Sequence, residues 1–397
     1  MTSLKEKVLE LTNKFFPNVV EQRRHLHANP ELSFKEFETS DYIAKQLDLL
    51  GIPYQRGFVE TGIVAHIYGN NPKSKTFAIR GDMDALPIHE NTGLDFASVN
   101  KGVMHACGHD VHTSSVLGAA AILNELRNEF DGTVKLIFQP GEEVLPGGAS
   151  LMIKEGALEN PQPEGIIGQH VYPQFEAGTV GFRPGMYMAS ADEIHLHVNG
   201  IGGHAAEPYR ITNPIIIASK IILELQKINE IGKEKDIPTI ISIGFVEGLG
   251  ATNVVPNQVY IQGTFRTLNE EWRFKVHQMI SDICHSVTAE MGGSVDVDVR
   301  VGYPFLENDI NLTERSKIYA IELLGAENVK DLDIRMGGED FSYYTHHLPG
   351  CFYRLGTSEP NNPSTGLHTP TFMVDENALK VGMSLLSWIA LQELKHV

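Results

Sequence analysis

The chain is short of features that mark several protein classes. Its 397 residues hold three cysteines, Cys107, Cys284 and Cys351. They are too few and too scattered for a disulfide framework, so a reducing cytoplasm is the expected setting. No apolar run approaches the roughly 18 residues that a membrane span needs. Residues 1–14 carry charges throughout and lack the apolar stretch of a signal peptide. Positive charge is scarce as well: 32 Lys and Arg face 50 Asp and Glu, a formal net charge of −18. That balance argues against a nucleic-acid surface or an anionic membrane as partner. Repeats and low-complexity tracts are absent too. What remains is a globular composition, 42% hydrophobic and 21% charged, on a chain long enough for two cores.

Leu4, Val8, Leu11 and Phe15 share one helical face, and Phe37, Ile43, Ala44, Leu47 and Leu50 suggest a second helix. Short apolar runs follow at 62–68, 76–80, 133–138, 165–168 and 351–355, with helical stretches at 111–126 and 149–155 among them. Nearly continuous apolar strands separated by helices predict an α/β domain with a mostly parallel central sheet covered by helices. Between 186 and 301 the pattern changes to strand (193–198), helix (214–228), two strands (239–246, 258–265), helix (270–291) and strand (295–301). That order is the βαββαβ, ferredoxin-like split sandwich. The expected organisation is a catalytic domain from 1–185 and 302–397, with 186–301 inserted into it.

Two stretches carry the chemistry: His105-Ala106-Cys107-Gly108-His109-Asp110-Val111-His112 and Gln139-Pro140-Gly141-Glu142-Glu143. In open α/β sheets, ligands collect outside the carboxyl ends of the strands. Asp82 and Asp84 follow the strand 76–80, Glu142 and Glu143 follow 133–138, and His170 follows 165–168. His368 lies in the loop after 351–355, and Cys107 and His109 sit where a glycine-bearing turn enters the helix 111–126. Singly, each has an ordinary explanation: an inert buried thiol, a hydrogen-bonded histidine, a solvated acidic pair. Several strand ends converging on one edge favour a metal site, and a helix N-terminus lowers a thiol's pKa. Two adjacent carboxylates point in different directions, so one can bind metal while its neighbour acts as base. His105 and His112 flank the motif at helical spacing and are read as supporting or packing residues, with a ligand role as the alternative. Thiolate and imidazole favour zinc; manganese, cobalt and nickel are the alternatives.

The motifs also occur in an informative order. Arg24-His25-Leu26-His27 with Pro30-Glu31-Leu32-Ser33 comes first, then Asp82-Met83-Asp84-Ala85-Leu86-Pro87. The stretches around Cys107 and Glu142 follow, then Gly337-Gly338-Glu339-Asp340-Phe341 and Leu367-His368-Thr369-Pro370. Over essentially its whole length the chain resembles the amidohydrolase branch of the aminoacylase/carboxypeptidase family, which includes hippurate hydrolases, indoleacetyl-amino-acid hydrolases and N-acetyldiaminopimelate deacetylases. The resemblance implies a zinc-peptidase-like catalytic domain and an inserted lid or dimerisation domain, hence a homodimer or higher homo-oligomer. It implies two divalent metal ions bridged by Cys107, with His109 and His170 completing one site and Glu143 and His368 the other. Glu142 would be the general base toward a hydroxide shared by the metals, and Asp84 would orient a ligand from behind. His204 would help hold the reaction oxyanion, and Asn253 and Arg266 would approach the substrate carboxylate. The substrate would be a small N-acyl-L-amino acid; a dipeptidase or carboxypeptidase using the same site is the alternative, and a non-enzymatic metal-binding scaffold a third. The lid motif departs from the family at Tyr209 and Asn213, where His and Asp are usual.

Overall fold

The computed structural model describes residues 3–360 and 365–395. They form two compact units: residues 1–185, 307–333 and 340–397 make the first, and 186–306 with 334–339 make the second. In the first, helix α1 (Leu4–Ala28) opens on a capping box. The Ser3 side chain accepts from the Glu6 N–H, and the Glu6 carboxylate accepts from the Ser3 N–H. Helix α2 (Phe37–Leu50) follows.

Strands β1 (Tyr54–Phe58), β2 (Gly62–Tyr68), β3 (Thr76–Asp82), β4 (Thr133–Gln139), β5 (Gly165–Glu176) and β6 (Val180–Phe182) join Val329–Asp331 and Gly350–Ser358 in one eight-stranded sheet. Across it the order is β1, β2, β4, β3, β5, Gly350–Ser358, β6, Val329–Asp331. The middle four strands are parallel, so the expected mostly parallel α/β sheet is present, with β2 antiparallel at the flank. Every residue of β3 and β4 is buried, as strands covered on both faces must be. Helix α3 (His109–Glu125) is buried from His109 to Leu123 and packs between α1 and the helix Ala378–Glu393.

The second unit runs strand Ala191–Asn199, helix Pro214–Glu234, strands Thr239–Glu247 and Gln258–Thr267, helix Glu270–Met291 and strand Ser294–Tyr303. Its antiparallel sheet places Ala191–Asn199 between Gln258–Thr267 and Ser294–Tyr303. Ile194, Leu196 and Val198 face inward onto Ile221, Leu225 and Ile280, while Glu193 and His197 on the other face are exposed and His195 between them is buried against Tyr260. That alternation is the period of two of a sheet with one wet face. The segment 334–339, which the sequence pattern leaves with the first domain, packs in this unit. The Ala189 N–H donates to the Arg335 and Gly337 carbonyls, and the Arg335 N–H to that of Tyr187.

Beneath the carboxyl ends of the central strands lies a fully buried ion network. Arg80 on β3 donates through Nε to Gln139 Oε1 at 2.8 Å, through Nη1 to Asp82 Oδ2 at 2.5 Å and through Nη2 to Asp340 Oδ1 at 2.7 Å. Gln139 Nε2 donates to both Asp340 oxygens at 2.9 and 2.7 Å. Burial opposes the ionisation of Asp82, but Arg80, His109 and His112 outweigh it and hold the carboxyl well below its usual range. Replacing one partner of such a network leaves an uncompensated buried charge. Arg80→Met should therefore lower the unfolding free energy by about 3–5 kcal/mol in urea denaturation; a loss within experimental error would show that the network does not hold the strand ends.

Candidate metal centre

Gly108 sets the first two candidates. It takes the left-handed conformation at φ 78°, and a Cβ there would lie 2.6 Å from Val171 Cγ2, so only glycine fits. The turn starts helix α3 at His109, two residues earlier than its periodicity suggests, with Cys107 just ahead of it. His170 corrects a second expectation: it lies inside β5, not beyond the strand's end. Pairing with β3 stops at Gly168, but Gly350–Ser358 carries the strand onward, with His170 opposite Arg354. Asp82 is likewise the last residue of β3. Glu142 and Glu143 follow β4 through the turn Pro140-Gly141. His368 enters from its loop with φ 61°, its N–H donating to the Ala106 carbonyl at 2.9 Å.

Cys107 Sγ lies 3.4 Å from His170 Nε2 and 3.3 Å from His368 Nε2. His368 Nε2 is 3.3 Å from Glu143 Oε1, and His109 Nε2 is 3.9 Å from both Glu143 Oε1 and Glu142 Oε2. The donors fall into two triads that share the thiol, Cys107–His109–His170 and Cys107–Glu143–His368, with all donor atoms of a triad within 4.8 Å of one another. Ligands bonded at about 2.0–2.3 Å to a tetrahedral zinc stand roughly 3.3–3.8 Å apart, close to the 3.3–3.4 Å separations of Cys107, His170, His368 and Glu143. His109 Nε2 is buried and makes no hydrogen bond among the described residues. The donor set therefore fits divalent cations.

The electrostatics correct one expectation: the helix N-terminus does not leave Cys107 with a lowered thiol pKa. Burial, then Glu143, Glu142 and Asp82, push the Cys107 thiol well above its usual range. Burial opposes charge on His109, but Asp82 and Asp84 raise it to about 10. Burial and Arg354 hold His170 well below its usual value. A proton on His109 offsets part of the carboxylate charge and one on Cys107 keeps the thiol neutral, and these are the donors that metal binding would deprotonate.

Around the donors stands a supporting layer. Asp84 Oδ1 is 3.3 Å from His109 Nδ1, and Asp84 also accepts from Ser33 Oγ at 2.6 Å and from the Glu142 and Glu143 N–H groups at 3.0 Å each. His112 and Asp82 form a further set with His109, but both nitrogens of His112 are engaged. Nε2 accepts from the Val171 N–H at 2.9 Å, so Nδ1 carries the proton bonded to Asp82 Oδ1 at 2.6 Å. His105 is buried with neither nitrogen partnered, and burial lowers it to about 4. Sequence reasoning gave Asp110 and His27 no role. Asp110, in the first turn of α3, accepts from Arg23 Nε at 2.7 Å and His27 Nδ1 at 2.9 Å, and His27 Nε2 reaches Glu90 at 3.1 Å. The adjacent His27 motif was a hint, but nothing local names the partner 83 positions away.

In the second unit, His204 and Asn253 lie on paired, exposed loops: His204 is opposite Val254, and the Asn253 carbonyl accepts from the Ala205 N–H at 3.0 Å. Arg266 is half-buried on the strand Gln258–Thr267; a Cβ on Gly338 would stand 3.0 Å from its Nη1, so the glycine leaves it room. No hydrogen bond or ion pair joins Arg266 to His204 or Asn253 among the described residues. Tyr209 is 77% exposed in a short turn. Asn213 caps the helix Pro214–Glu234, its side chain accepting from the Ile215 N–H at 3.0 Å, a task that Asn performs as well as Asp.

Comparison with known proteins gives a consistent result. The model of peptidase family M20/M25/M40 matches residues 78–392. An N-acetyl-L-cysteine deacetylase of Bacillus subtilis is 39% identical over 359 residues, 90% of this chain and 83% of that protein. An N-acetyldiaminopimelate deacetylase of Exiguobacterium sibiricum is 36% identical over 370 residues, 92% of this chain and 97% of that protein. A solved structure from Bacillus subtilis, described as a dinuclear metal binding peptidase from this family, superposes with a TM-score of 0.81 at 34% identity, covering 96% of this chain and 99% of that one. With its motifs in order, its sheet matched and its donors gathered at one rim, the chain belongs to peptidase family M20/M25/M40.

Proposed function

We propose that the protein is an N-acyl-L-amino-acid amidohydrolase, cleaving an N-acetyl, benzoyl or related amide to a carboxylate and a free amino acid. The coarser statement, a metal-dependent hydrolase of amides, follows from the family. One observation carries the mechanism: Glu142 and Glu143 reach His109 Nε2 at the same 3.9 Å. Either carboxylate could join the donor set; we assign that role to Glu143, which also reaches His368 Nε2 at 3.3 Å, and leave Glu142 beside it as the base. Cys107, His109, His170, Glu143 and His368 would hold two divalent cations, zinc first by ligand softness, with manganese, cobalt or nickel as alternatives. Such a pair, when bound, acidifies water and polarises an acyl carbonyl.

The chain's own groups do the rest. Glu142 accepts the proton of the attacking water on Oε2 and passes it to the departing amine nitrogen. Asp84 orients His109 and holds the backbone beneath both glutamates. Arg266 and Asn253 receive the substrate carboxylate, and His204 the developing oxyanion. The second unit serves as lid and as the surface of a homodimer, a role supported by exposed Leu223, Val246 and Leu249. A cytoplasmic setting is supported by three buried, free thiols. The deacetylase names of the two relatives support the N-acyl amino acid, whereas the peptidase description of the solved structure favours the alternative, a dipeptide substrate.

Three variants test these assignments. Glu142→Ala should keep two metal ions by elemental analysis and lose turnover about 10²–10⁴-fold, while Cys107→Ala should lose metal and turnover together. A Glu142→Ala protein with parental turnover would remove the base from this mechanism. Arg266→Ala should raise KM for an N-acyl amino acid far more than for the matching N-acyl amide without a carboxylate; equal changes would take the carboxylate away from Arg266.

A further inference from the structure

The turn that carries Glu142 and Glu143 is held by carboxylates at three successive backbone N–H groups. Asp84 takes the N–H of Glu142 on Oδ1 and that of Glu143 on Oδ2. The third, the Gly141 N–H, donates to Glu36 Oε1 at 2.9 Å. Glu36 has 0% exposure, and no feature of the sequence assigned it a role. Its Oε1 also accepts from the Phe34 N–H at 2.9 Å, and Oε2 accepts from Thr61 Oγ1 at 3.0 Å. One carboxyl group thereby ties the segment 33–36, the β1–β2 hairpin and the Gly141 turn together. The same segment braces Asp84, through Ser33 Oγ.

Space at the turn is tight. Gly141 has φ +62°, and a Cβ there would meet Phe34 Cε1 and Cζ at 2.4 Å. The turn packs close against the Phe34 ring, and the Gly141 N–H has Glu36 as acceptor.

We propose that Glu36 is a positioning residue for the reaction: through the Gly141 N–H it sets where the turn delivers Glu142 and Glu143. The proposal rests on the amidohydrolase mechanism above, in which Glu142 is the base. Glu36 touches neither substrate nor reacting atoms; it acts through Gly141. Burial and the nearby Asp84 raise Glu36 to about 7, so a glutamine amide is a close substitute for its acid form. Glutamine keeps an oxygen for the Gly141 N–H and offers an N–H₂ to the Thr61 hydroxyl, which accepts as readily as it donates. Aspartate keeps the charge but withdraws the acceptor by about one carbon–carbon bond, ~1.5 Å.

The experiment compares Glu36→Asp and Glu36→Gln in the metal-loaded protein by steady-state kinetics, metal analysis and amide hydrogen exchange of the peptide 139–148. Glu36→Asp should speed exchange in 139–148, leave it unchanged in Gln258–Thr267, keep the metal, and lower kcat about tenfold to a hundredfold. A displaced base acts on the chemical step, so KM should stay within about twofold. Glu36→Gln should restore both readouts to near parental values. Parental exchange and kcat in Glu36→Asp, or equal losses in Glu36→Gln, would overturn the assignment. Should Glu36→Asp not fold, Thr61→Val, which frees Oε2, takes its place, and parental values for both readouts overturn it. Failure of the mechanism itself shows separately, as parental turnover in Glu142→Ala with the exchange difference at 139–148 still present.

Discussion

Asp82, Asp84, Glu142 and Glu143 crowd one buried rim of the central sheet, and carboxylates so placed stay ionised only where positive charge stands among them. Arg80 supplies one charge from below, bound to Asp82 and Asp340. Above it the remaining acidic groups face Cys107, His109, His170 and His368; Cys107 meets His170 and His368, while neither nitrogen of His109 has a hydrogen-bond partner among the described residues. The two divalent cations proposed above would answer that deficit with the right sign and the right donor chemistry. Nearly every other feature near the rim serves to keep this arrangement from relaxing.

The sheet provides the rigidity. β3, β4, β5 and Gly350–Ser358 run side by side, so their carboxyl ends open onto one crevice. Each donor is then locked by something behind it: His109 by Asp84, the glutamate turn by Asp84 and Glu36, and the first turn of α3 by Arg23 and His27 through Asp110. His368 is the exception, an exposed candidate donor in the left-handed conformation, fastened through its backbone N–H to the Ala106 carbonyl.

Much of this was legible in the residues. Uninterrupted apolar runs such as 133–138 can be buried only on both faces, which points to the parallel sheet, and the order of strands and helices after 190 spells the βαββαβ unit. Residues just past a strand, such as Glu142 and Glu143, are legible for the same reason, since a strand's end is marked by the change from apolar to turn residues. The misplacement of His170 has the converse cause: β5 continues because a distant strand pairs with it, and no local pattern reports that. Arg80, Gln139 and Asp340 show a deeper limit. They form one network across 260 residues, and a buried ion pair leaves no periodicity. The segment 334–339 packs in the second unit through backbone bonds that its side chains do not encode.

The most direct test of the account is X-ray absorption of the protein loaded with zinc or manganese. Two cations per chain are expected, with a sulfur scatterer near ~2.3 Å for zinc and a metal–metal distance of about 3.5–4 Å. Both signals should vanish together in Cys107→Ala. A bound-metal spectrum with only nitrogen and oxygen neighbours, unchanged in that variant, would contradict it.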